Sequence, residues 1–141
     1  MRRKSSRHLL RIISTFPGLY SLLAGLCARR VRVDGWSMAP TLQPGEYALF
    51  DRLAYHRDRP RTGDIALIQI PDRDLRLIKR IIAVPGDNVK SRVLERNEYW
   101  VEGDNADGST DSRHFGAVRR RHLLAKGWLL YWPSSRWRTL Q

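Results

Sequence analysis

Cysteine is almost absent from the 141 residues. Cys27 stands alone, which excludes an internal disulfide framework and a cysteine-rich zinc site. Histidine is scarce too: His8, His56, His114 and His122 show no ligand spacing, so no structural metal and no cofactor are expected. No internal repeat is present, and no clear amphipathic helix of useful length follows residue 32. The longest uncharged run, residues 12–28, has 17 residues. As a helix it would span about 25 Å against roughly 30 Å for a bilayer core. Acidic side chains are missing from both ends. Residues 1–32 hold eight basic groups and no acid, and residues 117–141 hold six and no acid.

The formal net charge of +12 first suggests an anionic partner, nucleic acid or a membrane surface. Its distribution argues against nucleic acid. Residues 33–116 carry 12 basic and 14 acidic groups, a net of −2, whereas a nucleic-acid-binding domain more often has its positive patch on the folded body. The chain divides into a basic, apolar arm over 1–30, a folded core over 31–132 and a basic, tryptophan-containing tail over 133–141.

Three readings stand for the arm: a single membrane anchor, an interfacial helix held by Arg and anionic lipid, and a soluble helix. Pro17 and Gly18 weaken a spanning helix but are tolerated in one. The following ARRVRV over 28–33 offers no small-x-small cleavage site with a neutral start, which disfavours a cleaved leader. A membrane-associated, single-pass protein is the expectation, with arginines on both flanks leaving its orientation open. In the tail, Trp137 between Arg136 and Arg138 suits a membrane–water interface, while residues 127–132 read as a last core strand before a frayed end.

Between these ends lie short β-rich runs: 46-EYALF-50, 64-DIALIQI-70, 75-LRLIKRIIAV-84, 99-YWVEG-103 and 127-GWLLYW-132. Pro44-Gly45, Thr62-Gly63, Pro85-Gly86 and Asp107-Gly108 punctuate them, which predicts a mainly β, antiparallel architecture. Residues 51–62 read as an exposed polar connection with one helical turn.

Four segments carry hydroxyls, a lysine or dense turn chemistry. In 35-GWSMAPTL-42 a serine sits on a loop stiffened by Pro40. The second is 63-GDIALIQIP-71. In 77-LIKRIIAVPGD-87, Lys79 interrupts an apolar strand, and Arg80 points to the opposite face. Burying that lysine charged is costly; the plain alternative is an edge-strand lysine that guards against aggregation. The fourth is 102-EGDNADGSTDSRHFG-116.

In this order, SMAPTL, GDI with Pro71, KRIIAVPGD and GDNADGSTDSR resemble the signal peptidase I family of Ser–Lys endopeptidases. The resemblance implies a minimal antiparallel β catalytic core, a nucleophile at Ser37 and a general base at Lys79. It makes Ser109 the hydroxyl that orients the Lys79 amine. Asp111 and Arg113 would hold the last loop, with Arg80 as an ion partner, and Gly103, Asp104 and Asn105 would shape the turn beneath the site. Met38 would line the substrate groove. The implied partners are a protein or peptide substrate and, through the arm, membrane lipid, with no nucleic acid. Some members have a serine that aids the oxyanion hole where this chain has Gly35, so the Ser37 backbone N–H would serve. Only 22 residues separate Arg80 from Gly103, where large members carry an extra β domain.

The chemistry is coherent. A free lysine has a pKa near 10.4, so about one in 2,500 is neutral at pH 7, a cost of roughly 4.6 kcal/mol. Burial would remove much of that cost by destabilising the ammonium. A narrower resemblance, carried by LQPGEYALFDRLAY, GDIALIQIPDRDLRLIKRI and EGDNADGSTDSRHFGAV, is to the compact nickel-type superoxide dismutase maturation proteases. It would place the catalytic core in the cytoplasm and give it one dedicated substrate. Three alternatives remain: a general signal peptidase for exported proteins, a self-cleaving protease of the SOS-repressor type, and a non-catalytic basic membrane-surface protein.

Overall fold

A computed structural model describes residues 17–70 and 73–140. The charged start of the arm, residues 12–16 and Pro71 lie outside the described residues. Helix α1 (Pro17–Cys27) leads into β1 (Arg29–Arg32), and β2 (Tyr47–Asp51) is followed by the short α2 (Ala54–Arg57). Then come β3 (Ile65–Gln69), β4 (Arg76–Ala83), β5 (Asn88–Val89), β6 (Arg92–Val93) and β7 (Glu98–Glu102). Helix α3 (Ser112–Phe115), β8 (Val118–Arg119), β9 (Leu123–Trp132) and β10 (Arg138–Thr139) complete the chain.

The expected antiparallel β architecture is borne out. One eight-stranded sheet runs in the order β1-β2-β9-β3-β4-β7-β8, with β10 added beside β9. The apolar run 65-IALI-68 explains the centre of this order: all four residues are buried, so β3 is covered on both faces and its side chains feed two cores. Ile65 and Leu67 pack with Val33, Met38, Leu42 and Phe50. Ala66 and Ile68 pack with Tyr55, Ile81, Val101 and Val118.

Strand β4 buries alternate residues, Lys79, Ile81 and Ala83. It lies between β3 and β7, and Lys79 is 2% exposed. Lys79 is therefore not a solvent-facing edge lysine. The 22 residues between Arg80 and Gly103 hold the end of β4, a small β5–β6 hairpin and β7. Lys90 and Ser91 turn that hairpin with φ of 49° and 62°. A two-residue turn of this hand usually announces itself as Asn-Gly, and Lys-Ser carries no such signal.

The tail does not fray over 138–140. Arg138 and Thr139 pair with Leu130 and Leu129, Leu140 donates its N–H to Trp128 O at 2.9 Å, and its side chain is buried. Trp132 and Trp137 are exposed, as are Leu19, Leu22 and Leu26 of α1. Among the described residues no helix is long and apolar enough to cross a membrane; the 11 residues of α1 would cover about 16 Å.

Candidate active site

Ser37 is held by the loop between β1 and β2. Two backbone bonds close the neck of that loop, Val33 N–H to Glu46 O and Gly45 N–H to Val33 O, both 2.8 Å. Met38 and Leu42 are sunk in the core, and Leu42 N–H returns to Met38 O at 2.8 Å. Ser37, between buried Met38 and exposed Trp36, is left half-buried at the surface of the turn.

A second turn meets it from below. Asn105 donates its backbone N–H to Ser37 O at 2.9 Å and its side-chain amide to Trp36 O at 3.2 Å. Gly103 makes this approach possible. A Cβ there would lie 2.3 Å from Ser109 Oγ and 2.4 Å from Ser37 O, far inside any tolerated contact. Ser37, Gly103, Asn105 and Ser109 are thus packed into one small volume.

Asp111 organises the other side of that volume and is fully buried. Its carboxylate accepts from Ser109 O–H at 2.6 Å, Gly103 N–H at 2.9 Å and Arg113 Nε and Nη2 at 2.9 and 2.8 Å. It also caps α3 through Arg113 N–H at 3.2 Å, a familiar role for Asp at a helix start. Burial by itself would raise this carboxyl. The bonds from Arg113, Ser109 and Gly103 outweigh it and hold the group far below the usual carboxylate range. Asp111→Asn is expected to lower the unfolding free energy by about 2–3 kcal/mol, since it leaves part of a buried charge network unpaired. Urea denaturation measures this, and a loss below about 0.5 kcal/mol would contradict it.

Lys79 lies beside this network, on the face of β4 shared with Leu77 and Ile81. Burial pushes its amine below the ordinary lysine range; the Asp111 carboxylate acts against that shift and Arg113 with it. No carboxylate among the described residues forms an ion pair with its Nζ. Ser109, 6% exposed, gives its proton to Asp111 and keeps its oxygen lone pairs for another donor.

Arg80, on the opposite face, forms a two-pronged pair with Asp104, Nε to Oδ1 and Nη2 to Oδ2 at 2.8 Å each. Its Nη1 donates to Gly63 O at 2.8 Å. The carboxylate of the last loop that Arg80 meets is Asp104, while Arg113 pairs with Asp111; Arg80 thus ties the Gly63 turn to the Asp104 turn.

A groove of about 390 Å³ opens at Ser37. Its walls come from residues 29–35 on one side and Arg76, Leu77 and Ile78 on the other, with Met38 and Leu67 between them. Among the described residues β1 pairs only with β2, and residues 76–79 of β4 only with β3, so each wall presents an unpaired strand edge. A Cβ at Gly35 would meet nothing within 4 Å; this position brings no hydroxyl to the site. A larger cavity of about 600 Å³ lies against Tyr55, Asp64 and Lys126 and includes neither Ser37 nor Lys79. Among the described residues no group of acidic, His or Cys side chains is placed to hold a metal ion.

Glu46 escaped the sequence reading, and Arg136 and Arg138, read there as flanking Trp137 at a membrane–water interface, bind their own chain. Buried Glu46 accepts Gln43 N–H at 2.8 Å and pairs with Arg136 Nε at 2.8 Å. Arg136 Nη2 also donates to Pro40 O and Thr41 O at 3.0 and 3.2 Å, and Arg138 donates to Thr41 O. The tail therefore clamps the loop that carries Ser37. No local motif could reveal a contact across some 95 residues of chain.

The family model described as signal peptidase, peptidase S26, matches residues 6–94 and 90–132. Mitochondrial inner membrane protease subunit 1 of Xenopus tropicalis is 36% identical over 111 residues, covering 71% of this chain and 66% of that protein. Subunit 2 of the same protease from Mus musculus is 35% identical over 123 residues, covering 78% and 70%. The probable signal peptidase I-1 of Synechocystis is 29% identical over 136 residues, covering 72% and 69%. The chain thus spans about two thirds of the length of these relatives.

Proposed function

This chain belongs to the signal peptidase, peptidase S26 family, serine endopeptidases that remove leader peptides, and from that premise we propose that Ser37 and Lys79 are its catalytic dyad. The observation that carries the reading is Lys79: a buried lysine with no ion pair among the described residues, shifted toward the neutral amine by burial and within electrostatic reach of Asp111, the carboxylate that holds Ser109 and Gly103.

Neutral Lys79 Nζ takes the Ser37 Oγ proton as Oγ attacks the scissile carbonyl carbon. The tetrahedral oxyanion is met by the Ser37 backbone N–H. Collapse breaks the C–N bond, and the Lys79 ammonium returns the proton to the leaving amine. Lys79 Nζ, neutral again, takes a proton from water as its oxygen attacks the acyl carbon; collapse breaks the C–Oγ bond, and Lys79 returns the proton to Ser37 Oγ. Ser109 accepts from Lys79 Nζ and keeps it aimed; its own proton is already held by Asp111. Arg113 disfavours a second positive charge nearby and keeps the Asp111 charge satisfied. The substrate lies extended in the groove as an added strand, pairing with the free edges of β1 and β4.

The test is leader removal by Ser37→Ala. Cleavage is expected to fall at least about 10³-fold with the fold intact; intact-mass analysis of substrate with each protein decides it, and normal cleavage by Ser37→Ala would reject the dyad.

For the substrate, the compact core and the stretch from Leu42 to Tyr55 support the nickel-type superoxide dismutase maturation reading. Its test is incubation with the unprocessed dismutase: trimming to a single new N-terminus supports it, and no cleavage alongside cleavage of a general leader peptide rejects it. Attachment to a membrane through α1 and the preceding arm is part of the same proposal, supported by relatives named as inner-membrane proteases.

A further inference from the structure

The groove at Ser37 is strongly cationic although the core around it is not. Arg29, Arg30 and Arg32 line one wall and Arg76 the other, with Asp34 the acidic side chain among the lining residues. Asp34 is engaged with Arg32 at 3.4 Å, both largely exposed. Arg76 spends one donor on neutral Gln69 Oε1 at 3.3 Å. Among the described residues Arg29, Arg30 and Arg76 have no ion-pair partner. Four arginines against one aspartate leave the groove lining itself net positive.

We infer that the groove selects substrates carrying an acidic side chain in the segment it binds, with Arg30 and Arg76 as the specificity-determining residues. This rests on the peptidase reading above. Arginines from two elements converge on one cleft, and an extended peptide between them has side chains pointing to both walls. Guanidinium forks suit carboxylates geometrically as well as electrically. A strand rises about 3.3 Å per residue, so peptides that vary about eight residues on either side of the cut cover the length of the groove. Arginines that follow an apolar helix also suit anionic lipid, but that role does not account for Arg76 across the groove.

The experiment uses the full chain in neutral detergent, without lipid. Internally quenched peptides with small residues at the cut carry a single Asp, Ala or Lys at each position up to eight from the scissile bond on either side. Expected is a position where Asp raises kcat/KM about fivefold over Ala and Lys lowers it, the gain appearing in KM and shrinking at 0.5 M salt. Arg76→Glu and Arg30→Glu, both at exposed sites, should invert the order so that the Lys peptide is preferred. Cleavage with no charge preference at any position overturns this inference and leaves the peptidase reading standing. A preference seen only when anionic vesicles are added assigns the arginines to lipid and overturns it too. Failure to cleave any peptide overturns both.

Discussion

Lys79→Met is expected to cut kcat by about 10³- to 10⁴-fold while leaving the protein folded and KM little changed. Met matches the apolar stem of Lys and removes only the amine, so the loss reports proton transfer rather than packing. For the active protein, kcat/KM should rise with pH through the Lys79 pKa in the free enzyme and level off before 10.4, because burial lowers that amine. A stopped assay across pH 6–10 measures this, and a flat profile would argue against lysine as the base. Stability gives an independent readout. With the folded pKa below the unfolded one, the unfolded chain binds more protons between the two values, so unfolding free energy rises with pH across that window. Lys79→Met lacks this slope and should be the more stable protein at neutral pH, the gap narrowing toward pH 10. Urea titrations of both proteins at pH 7 and pH 10 would reveal a reversed slope.

Gly103→Ala should be nearly as damaging for a different reason. Its backbone is not in the left-handed region; the obstacle is space. The new methyl would sit 2.4 Å from Ser37 O and 2.6 Å from Ser109 Cβ, and neither is the free end of a long side chain. Relief requires the Ser37 loop and the Ser109 turn to separate, which breaks the Asn105–Ser37 bond and pulls the nucleophile from its base. A kcat loss of about 10²-fold is expected from a displacement of this size, with about 1–3 kcal/mol of lost stability. Gly35→Ala is the matched control. Its Cβ meets nothing within 4 Å, and stability should change by less than about 0.5 kcal/mol. Equal behaviour of the two alanine variants in kcat and urea midpoint would refute the packing account.

The strands were legible where apolar runs met Gly and Pro punctuation, as in 64-DIALIQI-70 and 75-LRLIKRIIAV-84. They were illegible where two or three residues pair at a rim. Residues 88–93 and 138–139 have no periodicity long enough to detect, and β10 exists because Leu140 has a pocket to fill beside Gly127. At the site, Ser37, Lys79, Ser109, Asp111 and Arg113 could be named through family resemblance, while the bonds that tie the Ser37 loop to Asn105, and Asp111 to Ser109 and Gly103, could not. The partner of Arg80 could not, because Asp104 and Asp111 are seven residues apart on one loop and only its path decides which carboxylate Arg80 meets.

Residue identity alone determined that a lysine sits in an apolar β-strand, that a serine rides on a proline-stiffened loop, and that cationic charge gathers at both ends. Whether that lysine is buried, whether glycine spacing lets two turns touch, and whether basic residues face lipid, substrate or their own chain are set by contacts between segments far apart in sequence. Arg136 and Arg138 show the difference. In the sequence they are two more charges in a basic tail; in the fold they satisfy Glu46 and the carbonyls of Pro40 and Thr41, because buried polar groups must find partners wherever the chain brings them.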